Sequence, residues 1–251
     1  MTTAPARATP RAPELSGQTV VLIGGSAGMG LETARRARAD GAEVVLVARD
    51  PDRLRHAADQ VGAQTTATID AADVARLEDF LESLPSVDHV FVTAGGPYYA
   101  PLAEMDFDEG RRGLQEHPML MVGVARYGAP KVRPGGTLVF MGGTGGRDPA
   151  KGVGLVSAMT AALPALTASL ALEVAPVRVN LIAAGFVDTP LSASVLGDQL
   201  EARRDELRSR LPIGRVVGPA DVAALAVHIM ANTALTGATY DIDGGQQLLP
   251  G

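Results

Sequence analysis

The stretch Ile23-Gly24-Gly25-Ser26-Ala27-Gly28-Met29-Gly30 decides the fold of this chain. An apolar run from Thr19 to Leu22 precedes it, and a helical pattern from Leu31 to Ala37 follows it. Glycines permit a tight turn that brings backbone N–H groups close to an anion, and the positive end of the following helix points at the same place. Strand, glycine-rich turn and helix in this order predict a dinucleotide phosphate site. The expected contacts in the turn are Gly24, Gly25, Ser26, Gly28, Met29 and Gly30.

The composition limits the classes of protein and of site. The chain has 251 residues, a net charge of −6 and no basic stripe, which argues against nucleic-acid binding. Cysteine is absent and the four histidines lack metal-ligand spacing, so we expect neither a disulfide nor a metal site. We also expect no apolar run long enough to span a membrane and no secretory signal, and hence a cytoplasmic protein.

Strand and helix patterns alternate along the rest of the chain. This alternation predicts an α/β fold: a single-domain, Rossmann-like, doubly wound parallel sheet with helices on both faces. We expect residues 1–14 to form a disordered tail and residues 15–251 to form the domain. Residues 191–217 are predicted to form a substrate lid, in which residues 203–206 make a solvated helix face.

The end of the second predicted strand indicates which dinucleotide is bound. Arg49 and Asp50 follow the apolar run there. An arginine at this place neutralises a 2′-phosphate, whereas an acid accepts a hydrogen bond from a free 2′-hydroxyl. We therefore favour NADP(H) over NAD(H), with Arg49 and Ser26 on the 2′-phosphate. The alternative is that Arg49 is a solvated strand end and Asp50 binds the ribose.

The next two strand ends are predicted to bind the adenosine. Asp70, followed by Ala71, can accept a hydrogen bond from the adenine amino group, although a cap or turn role suits its position nearly as well. After the fourth strand, Ala94, Gly95 and Gly96 are small enough for the backbone to lie against the ribose and adenine.

Over residues 16–247 the chain strongly resembles the short-chain dehydrogenase/reductase family. The likeness rests on the glycine turn, Arg49-Asp50-x-x-Arg53-Leu54, Val92-Thr93-Ala94-Gly95, Val177-Arg178-Val179-Asn180 and Asp243-Gly244-Gly245. The resemblance implies that Val187 contacts the nicotinamide carboxamide through its backbone and Thr189 through its hydroxyl. It also implies a homotetramer or homodimer, with the helices near 153–174 and 108–131 packed between subunits.

The four residues with which the family usually performs catalysis are replaced in this chain. The positions of its Asn, Ser, Tyr and Lys fall on His117, Gly143, Val156 and Thr160. The usual proton transfer through Tyr and Lys therefore does not carry over.

His117 is the titratable group among these four positions, and its ordinary pKa suits proton transfer. The alternative is that His117 is a partly buried helix residue bonded to the backbone. Thr144 and Thr160 can form hydrogen bonds but do not titrate near neutral pH, and Val156 can do neither. A phenol from Tyr98 or Tyr99 is a further candidate acid, although packing of aromatic rings in the loop explains both residues as well.

These observations predict an NADP(H)-binding oxidoreductase with a rearranged active site. It would transfer hydride to or from an unidentified small carbonyl or alcohol, imine or alkene. The alternative is a catalytically silent NADP(H)-binding protein that serves as a sensor or assembly partner, and non-redox chemistry on the same fold is a third possibility.

Overall fold

A computed structural model describes residues 14–147 and 150–249. Seven strands form one sheet in the order β3-β2-β1-β4-β5-β6-β7, and all neighbouring strands are parallel. The strands are β1 (Thr19–Ile23), β2 (Glu43–Ala48), β3 (Thr65–Thr68), β4 (Val87–Val92), β5 (Val132–Gly143), β6 (Arg178–Ala184) and β7 (Thr239–Ile242). The predicted doubly wound parallel sheet is confirmed.

Helices cover both faces of the sheet. They are α1 (Gly28–Ala39), α2 (Pro51–Val61), α3 (Val74–Ser83), α4 (Phe107–Gly123), α5 (Gly154–Glu173), α6 (Pro190–Leu196), α7 (Leu200–Arg210) and α8 (Pro219–Ala231). Successive strand residues point to opposite faces, so Val20 and Leu22 of β1 pack with α1, α2 and α8, while Val21 and Ile23 pack with α3, α4 and α5. Burial on both faces explains why the strands are continuously apolar.

The order of the strands creates the kind of crevice at which ligands bind in open parallel sheets. The chain runs outward from β1 to β3 and then returns to place β4 on the other side of β1. Crossovers leave β1 and β4 in opposite directions, which opens a crevice at their carboxyl ends. The glycine-rich turn lies at this crevice, as the sequence predicts.

The region between residues 108 and 131 differs from the single helix that its sequence suggests. Regular α4 ends at Gly123, a π-helical turn spans Val124–Gly128, and a 3-10 turn spans Ala129–Lys131. Val124, Ala125 and Ala129 are buried across this stretch, so packing against the core holds the irregular turns in place. Of the predicted tail at 1–14, only Glu14 lies within the described residues.

Helix α5 bears on the expectation that no apolar run is long enough to span a membrane. Its 20 residues are long and apolar enough to do so by length and composition. Ser, Thr and Pro interrupt the strictly apolar run, yet the average over the helix stays apolar. Met159, Leu163 and Leu170 are buried in the core, a pattern that a core helix of a soluble protein also shows.

Candidate active site

The turn after β1 is built so closely that two of its residues must be glycine. Gly24 has φ +99°, and a Cβ there would lie 2.5 Å from Thr93 Oγ1. A Cβ on Gly30 would lie 2.3 Å from the Gly24 carbonyl oxygen. The turn therefore packs on the end of β4, where a side chain has no room.

The N-terminus of α1 faces the crevice with its backbone donors available. Ala27, the residue before the helix, makes no side-chain cap, and the first turn holds no acid. Gly28, Met29 and Gly30 thus present N–H groups that lack helical acceptors. The Ser26 hydroxyl has no hydrogen-bond partner within the described part of the chain. This arrangement suits a phosphate.

At the end of β2, the carboxylate of Asp50 is already engaged in hydrogen bonds with the start of α2. Its carboxylate accepts from the N–H groups of Asp52 (3.1 Å) and Arg53 (3.0 Å) and from Arg53 Nε (2.9 Å). These bonds, chiefly the one from the Arg53 N–H, lower the pKa of the Asp50 carboxyl. Arg49 is exposed and makes no hydrogen bond or ion pair within residues 14–147 and 150–249. The geometry therefore favours Arg49 over Asp50 as the group that faces a cofactor.

Asp70 closes a turn at the end of β3. Its Oδ1 accepts from the Ala72 N–H (3.1 Å), and its carbonyl accepts from the Asp73 N–H (3.0 Å). The helix cap of α3 is Asp73 instead. Asp70 keeps a second carboxylate oxygen for an adenine, and Ala71 is partly buried beside it. The turn role is present, and the adenine role stays a prediction.

The end of β4 lies next to His117 of α4. The Ala94 N–H donates to the Ile23 carbonyl (3.0 Å), which ties β4 to β1. Gly95 has φ +104°, and a Cβ there would lie 3.1 Å from His117 Nδ1. Gly96 is open, with nothing near its Cβ position. The exit of β4 is thus lined by backbone and by one imidazole nitrogen.

The tautomer of His117 follows from its backbone partner. Nε2 lies 2.7 Å from the Met141 carbonyl of β5. Because a carbonyl only accepts, Nε2 carries the hydrogen and Nδ1 of the neutral ring is an acceptor. Burial lowers the pKa of His117, while the bond to Met141 opposes this shift. His117 therefore makes the backbone hydrogen bond that the alternative interpretation predicts. Its Nδ1 lies beside Gly95 and has no hydrogen-bond partner among the described residues.

Thr160 and Val156 have no free polar group to offer. The Thr160 hydroxyl donates within its own helix, to the carbonyls of Val156 (2.9 Å) and Ser157 (3.2 Å). Val156 packs against the core. Geometry therefore disfavours Thr160 as a donor to substrate.

Thr144 follows β5 and is buried. Its N–H donates to the Ala184 carbonyl (3.0 Å), which fixes its position beside β6. Its hydroxyl has no partner among the residues that the structure describes. Of the two threonines that the sequence singles out, Thr144 is the one that can donate to a substrate oxygen.

Tyr98 is engaged away from the crevice. Its hydroxyl accepts from the Asp106 N–H (3.1 Å) and lies 3.3 Å from the Asp106 carbonyl, at the start of α4. Its ring lies on Gly110 and Gly113, which leave room for it. Tyr98 therefore fastens the loop after β4 onto α4. Tyr99 is 51% exposed and remains a candidate.

The segment after β6 folds back onto the glycine turn. Val187 is buried and pairs with Val217. Thr189 caps α6, where its Oγ1 accepts from the Ser192 N–H (3.2 Å). A Cβ placed on Gly28 would lie 3.6 Å from the Thr189 side chain. The expected nicotinamide segment and phosphate turn are thus neighbours.

Arg204 corrects the prediction of a solvated face at 203–206. It is only 24% exposed, and its Nη2 lies 2.6 Å from Asp188 Oδ1. The sequence carries no local signal for this contact, because the two residues are 16 positions apart.

Comparison with known proteins identifies relatives along nearly the whole chain. The family described as "Enoyl-(Acyl carrier protein) reductase" matches residues 24–247. The short-chain dehydrogenase/reductase malC of Malbranchea aurantiaca is 28% identical, with 93% of this chain and 96% of the relative covered. The 3beta-hydroxysteroid dehydrogenase 1 of Eggerthella lenta is 32% identical, with 95% and 97% covered.

Solved structures show the same architecture. The MalC reductase/Diels-Alderase of Malbranchea aurantiaca has a TM-score of 0.86 at 27% identity, with 95% of this chain and 100% of that chain covered. An NADPH-bound short chain oxidoreductase from Pseudomonas aeruginosa PAO1, which contains an atypical catalytic center, has a TM-score of 0.83 at 27% identity, with 92% and 97% covered.

Proposed function

The chain belongs to the short-chain dehydrogenase/reductase family, and from this premise we propose that it is an NADP(H)-dependent oxidoreductase with a rearranged active site. The substrate class is a small carbonyl or alcohol, an imine or an alkene. The observation that carries the proposal is the glycine turn, which admits no side chain at Gly24 or Gly30 and lies against Thr189. A glycine turn between a strand and the N-terminus of a helix leaves backbone N–H groups open to a dinucleotide phosphate.

NADP(H) is the proposed cofactor. The Pseudomonas aeruginosa neighbour is NADPH-bound although its catalytic center is atypical, which supports cofactor binding without the usual residues. Arg49 is free to neutralise a 2′-phosphate, while Asp50 is held by the start of α2. When bound, the cofactor supplies or accepts a hydride. Gly24 to Gly30 would hold its phosphates, and Val187 and Thr189 its carboxamide.

The proposed chemistry at the substrate uses two side chains. The Thr144 hydroxyl donates a hydrogen bond to the substrate oxygen or nitrogen and holds it beside β5. His117 Nδ1, an acceptor in the neutral ring that its lowered pKa favours, takes the proton released when an alcohol is oxidised. In the reducing direction the protonated ring returns that proton to the substrate. Val156 supplies an apolar wall that excludes water.

A panel of carbonyls, imines and enones tests this function, with turnover followed by the absorbance of NADPH. We expect at least one class to be reduced by the wild type and to be reduced far more slowly by Thr144→Val. A protein that fails to bind NADPH at all would contradict the proposal.

A second candidate function is a catalytically silent NADP(H)-binding protein. The observation in its favour is that Val156 carries no polar group and that the Thr160 hydroxyl donates its hydrogen bond within its own helix. The same panel separates the two functions. A silent protein binds NADPH tightly but does not oxidise it with any substrate of the panel.

We further propose a cytoplasmic homotetramer or homodimer that uses the outer face of α5. This face is exposed and consists of small residues, Ala158, Ala161, Ala162, Ala165 and Ala168, with Leu172 83% exposed beside them. Small side chains allow two such helices to approach closely. Ala165→Arg should therefore dissociate the assembly in sedimentation experiments, whereas Ala165→Ser should leave it intact. An unchanged mass for Ala165→Arg would exclude this face.

A further inference from the structure

An ion pair joins the middle of α7 to the segment that follows β6. Arg204 Nη2 lies 2.6 Å from Asp188 Oδ1, with the two side chains 24% and 32% exposed. Arg204 Nη1 also pairs with Glu201 on its own helix. Asp188 stands between Val187 and Thr189, the two residues predicted to contact the nicotinamide end. The pair therefore acts directly on that segment.

Residues 187–217 form an excursion, that is, a segment that leaves the sheet after β6 and returns to its own starting point. At its base Val187 pairs with Val217, and the Asp188 N–H donates to the Val217 carbonyl (2.9 Å). Arg204 reaches from α7, in the middle of the excursion, back to this base. The pairs Arg203–Glu206, Arg208–Asp205 and Arg210–Glu206 each join residues three or four positions apart within α7. Arg204 with Asp188, in contrast, joins α7 to the base.

One donor of the Arg204 guanidinium, Nε, is buried without a hydrogen-bond partner in the described part of the chain. A buried N–H without a partner is unfavourable, and a carboxylate can accept two parallel bonds from an arginine. Asp188 is the carboxylate in contact, so a small shift of α7 toward the base would add a second bond.

We propose that Arg204 is a positioning residue for the nicotinamide end of the dinucleotide. Through Asp188 it holds the segment Val187–Thr189 against the glycine turn at Gly28. Docking of α7 and capture of the nicotinamide are therefore coupled, whereas the adenosine end, on the far side of β1, is independent of α7. This inference rests on the proposed function, namely that NADP(H) binds along this crevice.

Two ligands separate the two ends of the site. NADPH spans both ends, whereas adenosine 2′,5′-bisphosphate occupies only the adenosine end. In Arg204→Met, which keeps the length of the side chain and removes its charge, we expect the Kd of NADPH to rise about fivefold to tenfold. The Kd of adenosine 2′,5′-bisphosphate should change less than about twofold. Asp188→Asn, which keeps the shape of the partner, should give the same selective loss.

Helix α7 supplies a matched control. Arg208 pairs with Asp205 on the solvent side, where the two side chains are 52% and 75% exposed. Arg208→Met removes a charge from the same helix and should leave both affinities unchanged. Hydrogen exchange gives a readout without ligand: Arg204→Met should accelerate exchange of the Asp188 amide and of α7 and leave β1 and α1 as in the wild type.

The outcomes are distinct. Selective weakening of NADPH in Arg204→Met and Asp188→Asn supports the inference. Equal affinities in variants and wild type, or parallel loss of both ligands, overturn it while the proposed function stands. A wild type that binds neither ligand overturns the proposed function and this inference together.

Discussion

The two halves of the site depend on different parts of the chain, the cofactor half on the backbone and the catalytic half on side chains. The cofactor half is backbone: the turn from Gly24 to Gly30 fits because side chains are absent, and the end of β4 closes over it. The catalytic half consists of side chains: His117, Thr144, Val156 and Thr160 stand where the resemblance places Asn, the neighbour of Ser, Tyr and Lys, in that order. Backbone geometry cannot change without loss of the fold, whereas side chains around it can. The reaction therefore has to be argued from the catalytic half alone.

The largest effect is expected when a side chain is added to the glycine turn of the cofactor half. A Cβ on Gly24 would lie 2.5 Å from Thr93 Oγ1 and 2.7 Å from the Ala94 nitrogen, at φ +99°. Strain and overpacking together should lower the free energy of unfolding of Gly24→Val by about 4 kcal/mol, and NADPH binding should be lost. Denaturant titration and NADPH titration measure the two effects.

Gly145→Ala is the control from the catalytic half, since nothing lies within 4 Å of its Cβ position. It should change stability by less than about 0.5 kcal/mol. A Gly24→Val protein that still binds NADPH would remove the distinction between the halves.

The second effect concerns the proton. His117→Gln keeps an amide donor for the Met141 carbonyl but cannot titrate. If His117 exchanges the proton, this variant should lose about 100-fold in kcat/KM while NADPH affinity is kept. Full activity in His117→Gln would show that the proton comes from elsewhere.

The pH profile sharpens this test. Burial lowers the pKa of His117 below its usual value of 6.5. The unfolded state therefore takes up the proton first as the pH falls, so the contribution to stability is complete above pH 6.5 and declines below it. In the alcohol-oxidising direction the wild type should lose activity as the pH falls through the lowered pKa. His117→Gln should lack that limb of the profile.

The sequence predicts the fold and the place of the glycine turn, whereas the contacts of the catalytic side chains need the structure, for a physical reason. Glycine spacing and alternating apolar runs report local backbone geometry, which the fold preserves. The tautomer of His117 depends on Met141, 24 positions away on another element. The local pattern predicts a solvated Arg204 because Asp188, its partner, is likewise distant in sequence. Contacts between elements leave no periodic signal.

The third effect tests the cationic side chain that the cofactor half is predicted to use. Arg49→Ala should weaken NADPH about tenfold and leave NADH unchanged, because only NADPH carries the 2′-phosphate. Arg53→Ala is the matched control, since Asp50 already holds Arg53. Its effect on NADPH should be less than about threefold. An unchanged preference for NADPH in Arg49→Ala would exclude Arg49 as the phosphate contact, whereas a wild type that prefers NADH would return the ribose to Asp50.

The smallest effect is expected at Thr160, the position where the family carries lysine. Its hydroxyl donates to the Val156 carbonyl at 2.9 Å, a bond that the helix does not need. Thr160→Val has nearly the same shape, so stability should change by less than about 1 kcal/mol and kcat and NADPH affinity should stay within about twofold. Thr144→Val, measured in parallel, should lower kcat because that hydroxyl is free for substrate. If Thr160→Val instead loses activity as Thr144→Val does, the helix has to release the Thr160 hydroxyl during turnover. The catalytic half is then more mobile than its hydrogen bonds indicate.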